Sequence, residues 1–207
     1  MRSLNGTAKL ADAVDRLLAD AGERHGDRLV MLCSFQKEES VLLDAVSRVA
    51  PATRVVTIDT GVLFPETLAT WRAFEERFGV AMDVEDATGP WTGPELCCGD
   101  AKVAALERAL SGADAWITGI RREQSPTRAD AEPVEWDEKR SMWKYNPLAD
   151  WTERDIWNRI FERDLPYHPL HDRGYSSIGC AVCTQPGSGR EGRWAGTDKI
   201  ECGIHVA

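Results

Sequence analysis

Leu29-Val30-Met31-Leu32-Cys33 runs straight into Ser34-Phe35-Gln36-Lys37-Glu38-Glu39-Ser40, and a helical apolar pattern resumes from Val41 to Val49. An apolar run without a charge reads as a strand buried on both faces, the type found inside a parallel sheet. A second such strand, Arg54-Val55-Val56-Thr57-Ile58, ends at Asp59-Thr60-Gly61. Pro65-Glu66 then opens a helix, with proline in the first turn, where its missing N–H is not needed. Val80–Val84 and Ala115-Trp116-Ile117-Thr118-Gly119-Ile120 supply two further strands, separated by a helix through Ala101, Ala104, Ala105 and Leu110. Upstream, Leu10, Val14, Leu17, Leu18 and Ala21 recur at helical spacing.

Strands alternating with helices predict an α/β fold, a three-layer, mainly parallel sheet. Ligands of such sheets bind beyond the C-terminal strand ends, which nominates the loops 34–40, 59–65 and 120–128. The stretch 129–150 reads as irregular. Thr152 reads as the N-cap of a helix through Phe161, with Glu153 and Asp155 in its first turn. Little regular structure is expected after Pro166. Gly187, Gly189, Gly192, Gly196 and Gly203 predict a flexible C-terminal arm over about 187–207. With no repeat and no linker, residues 1–207 read as a single domain.

The formal net charge of -9 excludes a uniformly basic nucleic-acid surface. No stretch approaches the roughly 18 apolar residues of a membrane helix. Met1-Arg2-Ser3-Leu4-Asn5-Gly6 lacks the apolar core of a signal peptide, so a cytoplasmic protein is expected. Within this acidic chain, basic residues bunch at Arg121, Arg122 and Arg128, and again at Arg190, Arg193 and Lys199. A locally basic pocket suits a small anion, which arginine grips with paired hydrogen bonds; a solvated charged loop is the plainer alternative.

Six cysteines stand in a telling arrangement. Cys97 and Cys98 are adjacent, Cys180 and Cys183 form a C-x-x-C, Cys202 lies near the C-terminus, and Cys33 sits in the first apolar run. In a reducing compartment, paired cysteines point to a metal rather than to disulfides. Spacing alone leaves a [4Fe–4S] cluster, structural zinc and unrelated core residues all open. Cys202 is either a nucleophile or an inert tail thiol. Arg190, Arg193, Lys199 and His205 would favour its thiolate, and Glu201 would oppose it. The loop Ser34–Ser40 has no glycine and is not a Walker A motif, so it reads as a weak phosphate site or an ordinary strand-to-helix loop. His168 and His171 read as structural rather than metal-binding, the tryptophans as core and pocket lining, and Cys33 as a small core residue.

The ordered motifs together resemble the adenylyl-sulfate (APS) reductase branch of the phosphoadenylyl-sulfate (PAPS) reductase family. They are Ser34-Phe35, Asp59-Thr60-Gly61 with Phe64-Pro65-Glu66-Thr67, Cys97-Cys98 with Lys102, and Gly119-Ile120-Arg121-Arg122-Glu123-Gln124-Ser125 with Arg128. Asn146-Pro147-Leu148 with Trp151-Thr152, Tyr167-His168-Pro169-Leu170 and Ser177-Ile178-Gly179-Cys180 follow. Arg190-Glu191-Gly192-Arg193-Trp194 and Glu201-Cys202-Gly203-Ile204-His205 complete the set. The resemblance implies a fold of the PP-loop ATP pyrophosphatase type, but the Ser-Gly-Gly-Lys-Asp-Ser loop of that type is replaced here by Ser34–Ser40, which argues against ATP cleavage. It implies that Cys97, Cys98, Cys180 and Cys183 ligate a [4Fe–4S] cluster. Cys202 is implied as nucleophile, with Lys102 and His205 in the catalytic set. Ser34, Phe35, Ile58, Asp59, Thr60, Arg128, Arg190 and Arg193 are implied as substrate-binding. The implied substrate is adenosine 5'-phosphosulfate and the implied reductant is thioredoxin, with PAPS as an alternative substrate and a homo-oligomer compatible with the family's habit.

Overall fold

The structure, a computed structural model, describes residues 4–89, 99–194, 197–199 and 201. Cys97, Cys98, Cys202 and His205, all singled out above, lie outside the described residues. Six strands form one sheet: β1 (Leu29–Cys33), β2 (Arg54–Asp59), β3 (Asp83–Asp86), β4 (Ala115–Ile117), β5 (Val134–Asp137) and β6 (Met142–Tyr145). Their order is β3-β2-β1-β4-β6-β5, parallel throughout except for the antiparallel β5–β6 pair. The five helices are α1 (Leu4–His25), α2 (Lys37–Val49), α3 (Pro65–Phe78), α4 (Asp100–Ala109) and α5 (Glu153–Arg163).

The alternation of side chains along β1 sets the layers. Leu29, Met31 and Cys33 join Val14, Leu18, Leu42, Phe74 and Ile156 in the core under α1, α2, α3 and α5. Val30 turns the other way, toward Leu106, Ala109 and Trp116, where α4 covers the opposite face. Deleting a side chain such as the fully buried Leu42 from this packing costs about 2–5 kcal/mol. No described helix is long and apolar enough to cross a membrane.

Five expectations are corrected. The loop Ser34–Ser40 is only half loop, because α2 already begins at Lys37: Gln36 and Glu39 form a capping box, the Gln36 N–H donating to Glu39 Oε2 at 2.9 Å. The third strand is Asp83–Asp86 rather than Val80–Val84, and the fourth closes at Ile117. The stretch 129–150 holds the β5–β6 hairpin; its alternation was masked by the charged turn Asp137–Ser141 and by strands exposed on one face. Not all tryptophans are core: Trp136 and Trp143 are each 44% exposed and pack edge-to-face on one another. Cys33 is buried as expected.

Candidate active site

The strand order reverses between β1 and β4, and the crevice at such a reversal is where an open α/β sheet binds ligands. A cavity opens there. Its walls come from the C-terminal end of β1 with Ser34, the end of β2 with Ile58, and Thr118 to Ile120 after β4. Lys102 on the first turn of α4, Arg128, Cys180, Arg190 and Arg193 close it.

The segment after Pro166 is folded over these strand ends by backbone bonds. The Ala181 N–H donates to the Val62 carbonyl at 2.8 Å, tying the C-x-x-C segment to the loop after β2. The Gln185 N–H donates to the Gly192 carbonyl and the Trp194 N–H to the Cys183 carbonyl, each at 2.8 Å. This pairing folds Arg190 and Arg193 back beside Cys180 and Cys183, with Trp194 buried between them. His168 has the expected structural role: its Nδ1 accepts from the Leu170 N–H and its Nε2 meets Thr67 Oγ1 at 2.9 Å.

The arginines are differently engaged. Arg128 and Arg190 both bond Glu201. Arg193 is 7% exposed and makes no ion pair among the described residues; it donates to the Ile178 carbonyl at 3.2 Å and lies 4.5 Å over the Trp194 ring. A buried guanidinium without a carboxylate is costly, and an anion entering the cavity offsets that cost. Gly179 leaves room beneath it: a Cβ there would stand 2.3 Å from Arg193 Nη2, so the guanidinium would have to shift.

Two further carboxyls face the cavity, Glu38 and Glu39, which sequence reasoning passed over. Burial opposes ionisation of Glu38, but the charges of Lys37 and Arg121 and the Arg121 Nε hydrogen bond at 2.9 Å outweigh it and hold its carboxyl down at about 2. Burial, with the charge of Glu38 beside it, pushes Glu39 up to about 8. Glu39 is therefore neutral at neutral pH and does not repel an anion. Adjacent acidic residues between an apolar strand and an apolar helix were the available signal.

Ser34, Phe35, Ile58, Arg128, Arg190 and Arg193 all line the cavity. Phe35 does so with a backbone φ of 62°, its ring stacked on Trp71 in the core. Asp59 and Thr60 are not part of the wall. Asp59 accepts from the Gly61 N–H at 2.8 Å, and Thr60 Oγ1 lies 3.2 Å from Cys180 Sγ. Both shape the loop that holds the cysteine segment.

The donors present suit an iron–sulfur cluster. Cys180 and Cys183 are buried and packed with Trp194, Val62 and Leu63, and the Thr60 hydroxyl is in reach of Cys180 sulfur. Such an apolar wall with a hydroxyl within hydrogen-bond distance of sulfur is the kind of shell that thiolate-bound clusters use.

Residues 28–186 match the phosphoadenosine phosphosulfate reductase domain family. The adenosine 5'-phosphosulfate reductase of Geobacillus kaustophilus is 42% identical over 92% of this chain and 89% of its own. The phosphoadenosine 5'-phosphosulfate reductase of Gloeobacter violaceus is 43% identical over 94% of this chain and 89% of its own. Among solved structures, the phosphate complex of PAPS reductase from Candida auris superposes with a TM-score of 0.73 at 24% identity, covering 89% of this chain and 98% of that one. The FMN adenylyltransferase of Candida glabrata, with FMN and an ATP analogue, gives 0.69 at 17% identity over 88% and 64%. At these identities the structural likeness is one of fold, the PP-loop ATP pyrophosphatase type of three-layer sheet.

Proposed function

The chain belongs to the phosphoadenosine phosphosulfate reductase family, and from that premise we propose that it reduces adenosine 5'-phosphosulfate to sulfite and AMP with reduced thioredoxin, as a cytoplasmic enzyme of sulfate assimilation. The observation that carries this reading is the convergence of Arg128, Arg190 and Arg193, with Lys102, on one cavity at the strand-order reversal. Cationic groups gathered there offset the repulsion between an attacking thiolate and an anionic phosphosulfate.

The Cys202 thiolate attacks the sulfur of the mixed anhydride. A sulfur–sulfur bond forms, the sulfur–oxygen bond to AMP breaks, and AMP leaves with that electron pair. The product on the chain is S-sulfocysteine. The tail presents it to thioredoxin, whose thiols release sulfite and regenerate the Cys202 thiol while they become a disulfide. His205, on the same tail, is assigned to the catalytic set. Cys97, Cys98, Cys180 and Cys183 would hold a [4Fe–4S] cluster, which would tie their segments together and tune the field around Lys102.

Adenosine 5'-phosphosulfate is preferred as substrate because all four cluster cysteines are present in the sequence. Similarity to a relative named for the 3'-phosphorylated nucleotide supports dual specificity as the second reading. Anaerobic sulfite release from each nucleotide, with thioredoxin, tests both. The Cys202→Ser variant is expected to bind substrate and release no sulfite, and appreciable turnover would refute the nucleophile. Cys180→Ser is expected to lose iron; full retention would remove it as a ligand.

A further inference from the structure

Glu201 is 8% exposed, and both of its carboxylate oxygens are engaged. Arg128 grips it with two parallel bonds, Nε to Oε2 and Nη2 to Oε1, each 2.9 Å. Arg190 Nη2 donates to Oε1 at 2.6 Å, and Thr127 Oγ1 donates to Oε2 at 3.2 Å. The remaining nitrogen of Arg128, Nη1, donates to Gln124 Oε1. The edge of Arg128 that could take an oxyanion bidentately is therefore covered by a carboxylate of the chain itself.

We propose that Glu201 is a positioning residue whose carboxylate exchanges with the substrate's oxyanion on the Arg128–Arg190 cradle. The inference rests on the substrate reading given above and extends it. A carboxylate and a phosphate or sulfate group cannot share the Nε–Nη2 edge of Arg128, so the anion binds there only as Glu201 leaves. Arg193 lines the same cavity outside this pairing, and it gives an arriving anion its first purchase. Glu201 precedes Cys202 by one peptide bond. Exchange thus couples arrival of the substrate to release of Glu201, the residue next to Cys202, from the cradle. After the reaction, return of Glu201 competes with AMP for the same guanidinium and favours its departure.

A ligand whose site is covered part of the time binds with an affinity lowered by the uncovered fraction. Removing the cover therefore tightens binding, an effect opposite to that of merely loosening the structure. The test is isothermal titration of AMP, and separately of inorganic phosphate, into anaerobically purified full-length wild type, Glu201→Gln, Glu201→Ala and Glu201→Asp, each checked by thermal unfolding. Glu201→Gln and Glu201→Ala are expected to bind AMP about tenfold more tightly, and Glu201→Asp to return toward wild type. Equal or weaker AMP binding in either folded variant would overturn the exchange while leaving the substrate reading intact. Absence of AMP binding in every protein, wild type included, would overturn the substrate reading and this inference with it.

Discussion

Replacing Arg121 by methionine removes the cation that compensates a carboxylate buried beneath the active-site cavity. Arg121 and Glu38 are 3% and 2% exposed, and Arg121 Nε donates to Glu38 Oε1 at 2.9 Å. Arg121 Nη1 also donates to Glu123 Oε2 at 3.0 Å and to the Trp151 carbonyl at 3.3 Å. Breaking a buried pair by deleting one partner costs about 3–5 kcal/mol. Lys37, buried beside Glu38, keeps part of the compensation, so the expected loss lies at the lower end, about 3 kcal/mol. Against a total stability of about 5–15 kcal/mol, this shifts a urea midpoint clearly. The acid limb changes too. In the wild type the Glu38 carboxyl is held at about 2 against its ordinary 4.5, so its stabilising contribution is complete above 4.5 and is lost as the pH falls through about 2. In Arg121→Met that window narrows from below. Glu38→Leu combined with Arg121→Met, which removes both charges, is expected to recover part of the loss. A single-variant loss under about 1 kcal/mol would refute the claim that Arg121 is the necessary partner.

Gly179→Ala would drive a Cβ into the Arg193 guanidinium, 2.5 Å from its Cζ; KM for the phosphosulfate is expected to rise about tenfold with the melting temperature little changed, and an unchanged KM would refute the role given to Arg193. His168 and His171 are both held at about 4, burial being the main cause; each is neutral in the fold, so the stability it contributes is complete above 6.5 and is lost as the pH falls through about 4, and a urea midpoint constant over that window would contradict the assignment. Glu39, raised to about 8, acts in the opposite sense: its contribution is complete below 4.5 and is lost as the pH rises through about 8. Glu39→Gln, which mimics the neutral acid, is expected to flatten the decline in stability between pH 5 and 9, and an unaltered decline would show that another group causes it.

What the sequence made legible followed from burial on two faces. Leu29–Cys33 and Arg54–Ile58 have no polar alternation to confuse the reading, because α-helices cover both sides of the sheet at these strands. Val134–Asp137 and Met142–Tyr145 escaped it because the hairpin lies at the sheet edge, where Trp136 and Trp143 stand half in solvent and charge pairs such as Lys144–Glu135 interrupt any apolar run. The arginines of the site were legible by type and clustering. The partner of Arg128 was not, because Glu201 lies 73 residues away. Along the chain Glu201 appears only as a charge disfavouring the neighbouring thiolate; across the fold it is the carboxylate that pairs with Arg128 and Arg190.

An anion site in a chain of net charge -9 needs its nearby carboxylates silenced, and three are silenced in three ways. Glu38 stays ionised but is matched by Lys37 and Arg121, so it adds little field of its own at the cavity. Glu39 is denied its charge by burial and by Glu38. Glu201 pairs with Arg128 and Arg190, and it cancels them only while it is docked. The positive field at the strand ends therefore has a constant part, from Arg193, and a part that is uncovered when Glu201 departs. Buried pairing fixes Glu38 and Glu39 in place on α2, whereas Glu201 sits on the segment that carries Cys202. The carboxylate that exchanges is thus the one on the residue next to Cys202, which separates the charges that build the site from the charge that operates it.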